Sequence, residues 1–274
     1  MKKLKIILAS IGILMLIVGT IACDGGEGTP TPIPTPTPTP CVNTVVFPDP
    51  NLEAVIRQVI EKPVGDICQS DLDDIISLGG DYSDISDLSG LERCQYLGNL
   101  SLVGNQITDI SPIAELTELT VLVLGDNQIS DISPLANLNY LVDLALYINQ
   151  IDDVSQLSNL TKLKTLWLMG NQVSDISALS NLTALTTLFL EDNQVSDLSP
   201  LSGLTNLIAL EIKSNEITDI SPLVENSALG EEAIVDLQGN PLSDTSLEVY
   251  IPQLEERGAM VFWGPFARPE ETQT

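Results

Sequence analysis

The chain predicts an α/β repeat solenoid: a curved stack with a parallel β-sheet on its concave side and short 3-10 turns on its convex side. Three observations carry that expectation. A 22-residue unit recurs six times between Cys94 and Glu225, with copies beginning at Cys94, Leu116, Leu138, Leu160, Leu182 and Leu204. A fixed period of this size is the mark of stacked supersecondary units. In the copy LTELTVLVLGDNQISDISPLAN, the alternating pair Leu122 and Leu124 is followed by Asn127, and the unit closes on the return Ser-Asp-Ile-Ser-Pro-Leu.

Alternation places Leu122 and Leu124 on one side of an extended segment, Val121–Gly125, so each repeat offers one strand facing inward. Stacked strands lie about 4.8 Å apart, and no repeat can bury its apolar side without its neighbours. An Asn ends each strand: Asn105, Asn127, Asn149, Asn171, Asn193, Asn215, and Asn240 in the terminal unit. Its amide both donates and accepts, so this row is expected to be a structural ladder satisfying the turning backbone. On the return side Ser133 reads as a cap and Pro134 suits the first turn, while the shortness of the segment favours 3-10 geometry.

Six repeats would leave two bare apolar ends, so both ends need covers. Residues 41–93 read as an N-terminal cap and a degenerate first repeat. Val45–Phe47 is a strand signal, Asp49 and Pro50 open a helix with Leu52, Val55, Ile56, Val59 and Ile60 on one face, and Ser70 opens a second helix. In residues 78–93, Ile85, Leu88 and Leu91 fall in the repeat register. Residues 94–225 are the six repeats, and residues 226–267 a terminal repeat and a helix–strand C-terminal cap. There Val235 and Leu237 restore the strand, and a helix with Leu247, Ile251 and Leu254 breaks or kinks at Pro252 before a last strand at 259–263. Residues 268–274 read as a tail.

Ahead of the repeats stands an address. Lys2, Lys3 and Lys5 precede an apolar run from Ile6 to Ile21, short for a spanning helix, which reads as an export signal over residues 1–22. It ends Thr20-Ile21-Ala22-Cys23, which resembles the lipobox of bacterial lipoproteins. The resemblance implies lipidation of Cys23 and anchoring to the outer side of a bacterial membrane. An uncleaved anchor is the alternative, with the same outward orientation. Residues 23–40 continue into a Thr/Pro alternation that cannot be helix or interior strand. Near polyproline II it spans about 50 Å, a spacer between membrane and domain.

Three of the eleven Lys and Arg lie in the first five residues, leaving eight basic against 38 acidic residues. Such a surface repels nucleic acid and anionic headgroups, so contact with the membrane is expected through the N-terminal lipid only. Much of this charge is a by-product of the repeat, because Asp109, Asp131, Asp153, Asp175, Asp197 and Asp219 occupy one repeat position. After Cys23 three cysteines remain, and export permits disulfides. Cys94 stands where other repeats have Leu, so it reads as a small buried hydrophobe. Cys41 and Cys68 flank the cap and are the expected disulfide pair.

Enzyme chemistry is not expected. There is no His, no nucleophile in a recognisable motif and no Gly-rich phosphate loop. No Asp-x-Asp-x-Asp-Gly loop offers a calcium site, so neither a cofactor nor a metal is called for.

The repeats resemble the leucine-rich-repeat family, and within it the 22-residue, internalin-like bacterial class. The resemblance covers about residues 44–264, since Asp49–Lys62 looks like that group's N-terminal cap. It implies binding of a protein partner, expected on the concave face of a monomer. There the positions between the inward leucines point to solvent. Tyr147, Trp167, Met169 and Phe189 gather on three neighbouring repeats in a chain otherwise poor in aromatics, with Glu191 and Glu211 as an acidic rim. An exposed cluster of this kind marks a binding surface. The same residues are open to two other readings, rings stacked to stiffen the sheet, or a platform for sugar.

Overall fold

The computed structural model describes Cys41 and residues 43–264. The expected export signal, Cys23, the Thr/Pro spacer and the expected tail from 268 lie outside the described residues.

Strand β1 (Thr44–Val45) pairs antiparallel with β2 (Ile67–Cys68), and nine further strands form one parallel sheet in chain order. These are β3 (Ser77–Gly79), β4 (Asn99–Ser101), β5 (Val121–Val123), β6 (Asp143–Ala145), β7 (Thr165–Trp167), β8 (Thr187–Phe189), β9 (Ala209–Glu211), β10 (Ile234–Asp236) and β11 (Met260–Phe262). The register advances by one repeat at each step: Asn99 pairs with Val121, and Val121 with Asp143. Ala209 pairs with Ile234 and Ile234 with Met260, so the irregular C-terminal connections are absorbed outside the sheet. Leu116, Leu119, Leu122, Leu124, Ile129 and Leu135 are fully buried, and the same positions repeat this through the stack. Each such side chain contributes about 1.5–3 kcal/mol by leaving water.

The asparagines tie neighbouring repeats together. Asn127 Oδ1 accepts from the Ile107 N–H at 3.0 Å, while its Nδ2 donates to the carbonyls of Leu102 (2.9 Å), Leu124 (3.1 Å) and Gly125 (3.2 Å). Asn149, Asn171, Asn193 and Asn215 likewise donate both backward by a repeat and into their own turn. Asn105 begins the row on the Ser83 and Ile85 N–H groups, and Asn240 ends it on those of Asn215 and Ile217.

The returns are 3-10 turns, as at Ser133–Asn137 and Ser155–Asn159, and become an α-helical turn at Ser221–Glu225. Ser133 is not the cap. That role falls to Asp131, whose Oδ1 accepts from the Ser133 N–H at 2.8 Å, and Asp109, Asp153, Asp175, Asp197 and Asp219 repeat it. A carboxylate two residues upstream reaches this N–H, whereas the Ser side chain lies inside the turn it would have to cap.

At the N-terminus helix α1 (Pro50–Val59) opens on Asp49, whose Oδ1 accepts from Asn51 N at 2.8 Å and Leu52 N at 3.2 Å. Its Oδ2 takes the N–H groups of Ser86 (2.7 Å) and Asp87 (3.1 Å), so one carboxylate joins cap to first repeat. Burial pushes this carboxyl up, but the four N–H donors outweigh it and hold it below its ordinary value. Val59 is exposed rather than inward, standing in the last turn beyond the packed residues Leu52 and Ile56. The second expected helix is a single turn, Gln69–Leu72, because the chain must enter β3 five residues later. Cys94 is a fully buried free thiol, pushed up to about 12 by burial and then by Glu92. Cys41 and Cys68 are disulfide-bonded.

At the other end Asn226 occupies a leucine position and is fully buried. Its Nδ2 donates to the Leu201 and Leu204 carbonyls at 2.8 and 3.1 Å, so the period breaks without an orphaned amide. The chain passes Pro252 through a π-helical turn, Ser246–Tyr250, that runs into a helix at Ile251–Glu256. The wider turn accommodates the missing N–H of proline. No described helix is long and apolar enough to cross a membrane.

Candidate functional site

The parallel, in-register strands place equal repeat positions beside one another on the sheet's outer face. Ala145, Trp167 and Phe189 are direct cross-strand partners, followed by Glu211, Asp236 and Phe262. Two residues further along stand Tyr147, Met169, Glu191 and Lys213.

The aromatic residues form a stack. Trp167 and Phe189 are stacked with ring centroids 5.7 Å apart and 27° between planes, and Tyr147 lies tilted against Trp167 at 6.2 Å and 45°. Tyr147 reaches back over the preceding strand because Gly125 offers no side chain; a Cβ there would overlap its ring.

This corrects the expectation of an exposed cluster. Trp167 is 8% and Phe189 7% exposed, because rings at strand spacing cover one another's faces. Tyr147 and Met169, both half-buried, are the members that meet solvent. The Trp167 indole N–H is buried without an acceptor, at a cost of about 1–3 kcal/mol.

The acidic rim also differs from two free charges. Lys213 Nζ lies 2.9 Å from Glu191 Oε1. Burial, then the hydrogen bond to Glu191 and that neighbour's charge, push Glu211 up to about 8, against the opposing pull of Lys213. Burial also pushes Glu191 up, but its bonds with Glu211 and Lys213 outweigh this and hold it below its ordinary value. Near neutral pH the pair therefore keeps one proton, with Glu211 donating it to Glu191. Asp236 is pushed up, chiefly by burial. The result is a half-buried polar cluster adjoining Phe189.

Two face residues had escaped sequence reasoning. Ile148 and Tyr82 are 55% and 74% exposed, and each stands at the left-handed turn closing a strand. The signal was present: the residue before each ladder Asn reads Gly104, Asp126, Ile148, Gly170, Asp192, Ser214, and only one of these is large and apolar. On the opposite side, a shallow hollow of about 300 Å³ is lined by Asp153 and Asp175, whose carboxylates are already engaged with their own turns.

A sequence profile described as leucine rich repeats (2 copies) matches residues 97–137, 141–181 and 183–225. Among curated proteins none matches. The crystal structure of internalin C2 from Listeria monocytogenes is 32% identical with a TM-score of 0.72, covering 83% of this chain and all of that one. An internalin F structure from the same organism is 32% identical with a TM-score of 0.66, covering 79% of this chain and 68% of that one. A leucine-rich-repeat protein of Leptospira interrogans shares the fold at 24% identity and a TM-score of 0.51, over 64% of this chain and 51% of its own.

Proposed function

Because this chain belongs to the internalin-like leucine-rich-repeat family, we propose that it is a surface-displayed, membrane-anchored module that binds a protein partner on the concave face of its sheet. The observation that carries this is the continuity of the outer face from Tyr147 through Trp167 and Phe189 to Glu211. These positions vary from repeat to repeat, while the positions that hold the stack together do not. A preordered aromatic platform beside satisfied polar groups loses little conformational freedom on binding. Tyr147 and Met169 supply the outermost apolar contact, Trp167 and Phe189 hold Tyr147 in place, and Glu191 and Glu211 supply polar contacts at one side.

Anchoring rests on Cys23 and the spacer after it, which together hold the domain away from the membrane. Replacing Cys23 by Ser releases the protein from the membrane fraction; retention of the Cys23→Ser chain there would contradict lipid anchoring. Sugar binding is not favoured by the geometry, since a sugar needs an open ring face and the faces of Trp167 are occupied. The test is binding of the purified full chain to protein and glycan arrays, beside Tyr147→Ala, Met169→Ala and Trp167→Ala. Protein ligands weakened about tenfold or more by Trp167→Ala and Tyr147→Ala are expected. Unchanged protein binding by all three variants, or glycan ligands alone, would overturn the assignment.

A further inference from the structure

The residues that close the strands form a row at their C-terminal ends. Tyr82, which precedes Ser83, and Gly104, Asp126, Ile148, Gly170, Asp192 and Ser214, each of which precedes a ladder Asn, all have φ between 51° and 67°. Gly suits this conformation, and Asp tolerates it; a β-branched side chain there clashes with its own backbone. Ile148 cannot relax out of the turn, because its N–H donates to the Met169 carbonyl at 2.8 Å and its carbonyl accepts from Asn127 N at 3.2 Å. Tyr82 is held likewise, donating to the Val103 carbonyl at 2.7 Å. Burial does not offset the strain, since both side chains are mostly in water. In the repeat after that of Ile148 the Trp167 N–H lacks an acceptor. Strain and unsatisfied groups gathered in one place, with no gain to the free protein, mark a functional surface.

The surroundings define its chemistry. Gly104 and Gly125 have room only for backbone, and the Tyr82 and Tyr147 rings lie over them. The Tyr147 hydroxyl is pushed up by burial first, then by Tyr82, Asp81 and Asp126. Tyr82, Tyr147 and Ile148 thus make a ridge about 14 Å long, three strand spacings. Asp81 and Asp126 are exposed along it, and Asp192 is exposed two repeats beyond its end. The nearest cations are committed elsewhere: Lys213 to Glu191, and Lys162 to the Tyr140 ring at 3.8 Å, while Lys164 precedes β7 at the other end of the strands.

We propose that the ridge of Tyr82, Tyr147 and Ile148 docks a segment of a partner protein that carries an aliphatic or aromatic side chain beside Lys or Arg. This rests on the reading of the sheet face as a protein-binding surface and adds the chemistry of its ligand. The apolar side chain covers Ile148 and Tyr147. The cations meet Asp126, one repeat before Ile148, and Asp192, two repeats after it.

The test separates stability from binding. The full chain is panned against a display library of random dodecapeptides, and the enriched peptides are titrated onto wild type, Ile148→Gly, Tyr82→Ser and Trp167→Ala. Enriched peptides should pair an apolar residue with Lys or Arg. Ile148→Gly should weaken them about tenfold or more while its Tm equals or exceeds that of wild type, an outcome a merely structural role for Ile148 would not give. Peptides that lack basic residues, or that bind Ile148→Gly and Tyr82→Ser within about twofold of wild type, would overturn the inference. If such peptides are still lost with Trp167→Ala, the protein-binding reading of the face survives without this ridge. If no enriched peptide responds to any face variant, both fall.

Discussion

Replacing Asn127 by Ala removes a bridge from the middle of the stack, and its cost can be worked from the bonds it makes. The Ile107 N–H has Asn127 Oδ1 as its acceptor at 3.0 Å, and the Leu102 carbonyl has Asn127 Nδ2 as its donor at 2.9 Å. The Leu124 carbonyl keeps a second donor, Asn149 Nδ2 at 3.0 Å, so it is spared. Two buried backbone groups are therefore orphaned, each costing about 1–3 kcal/mol, and partial water entry places the sum at about 3 kcal/mol. For a domain of this size that lowers Tm by about 6–12 °C. Asn240, half-buried at the end of the row, should cost less than about 1.5 kcal/mol on the same substitution, because solvent reaches its partners. Thermal and urea unfolding of both variants give the comparison. Asn127→Ala melting within about 2 °C of wild type, or Asn240→Ala costing as much, would refute the ladder as a source of stability.

Other substitutions separate the carboxylates by role. Glu211, at about 8 against an ordinary 4.5, binds a proton more tightly folded than unfolded, so its contribution is full below about 4.5 and lost as pH rises through about 8. Glu211→Gln should therefore gain stability relative to wild type from pH 5 to pH 8, and parallel Tm-versus-pH curves would contradict this. Asp49→Ala strips acceptors from four N–H groups and should cost about 2–4 kcal/mol, whereas Asp131→Ala, which removes a fully exposed cap, should shift the denaturant midpoint much less. Equal denaturant midpoints for the two would show that burial does not set the difference. We propose that Cys41 and Cys68 bond to each other; digestion of the unreduced protein should yield a peptide linking 41 with 68, and a Cys94-containing linkage in its place would exclude it.

The fold was legible because its determinants are periodic. A leucine at each of several positions, repeated every 22 residues, specifies strand, register and core together, and even the Asn row announces itself by recurrence. The role of Asp131 was hidden, since an Asp and a Ser two residues apart are both cap-formers and only the turn geometry chooses between them. The site was legible in place and not in exposure. Which repeats carry Tyr147, Trp167 and Phe189 can be counted off the chain, but that the rings would cover one another depends on a strand spacing acting on large flat side chains. Glu211 shows the same limit: a residue written as a charge holds its proton because of Glu191 beside it, a neighbour one repeat and a strand away. Ile148 was overlooked because a lone apolar residue in a turn carries meaning only once that turn is known to be left-handed.

Protein binding through the sheet face is open to a direct test by site-specific photo-crosslinking on intact cells. A photoreactive amino acid is placed at Met169 on the outer face of the sheet, and in a second chain at Gln156 on the return side. A protein adduct is expected from position 169 and none from position 156. Adducts from position 156 alone, or equally from both, would contradict it.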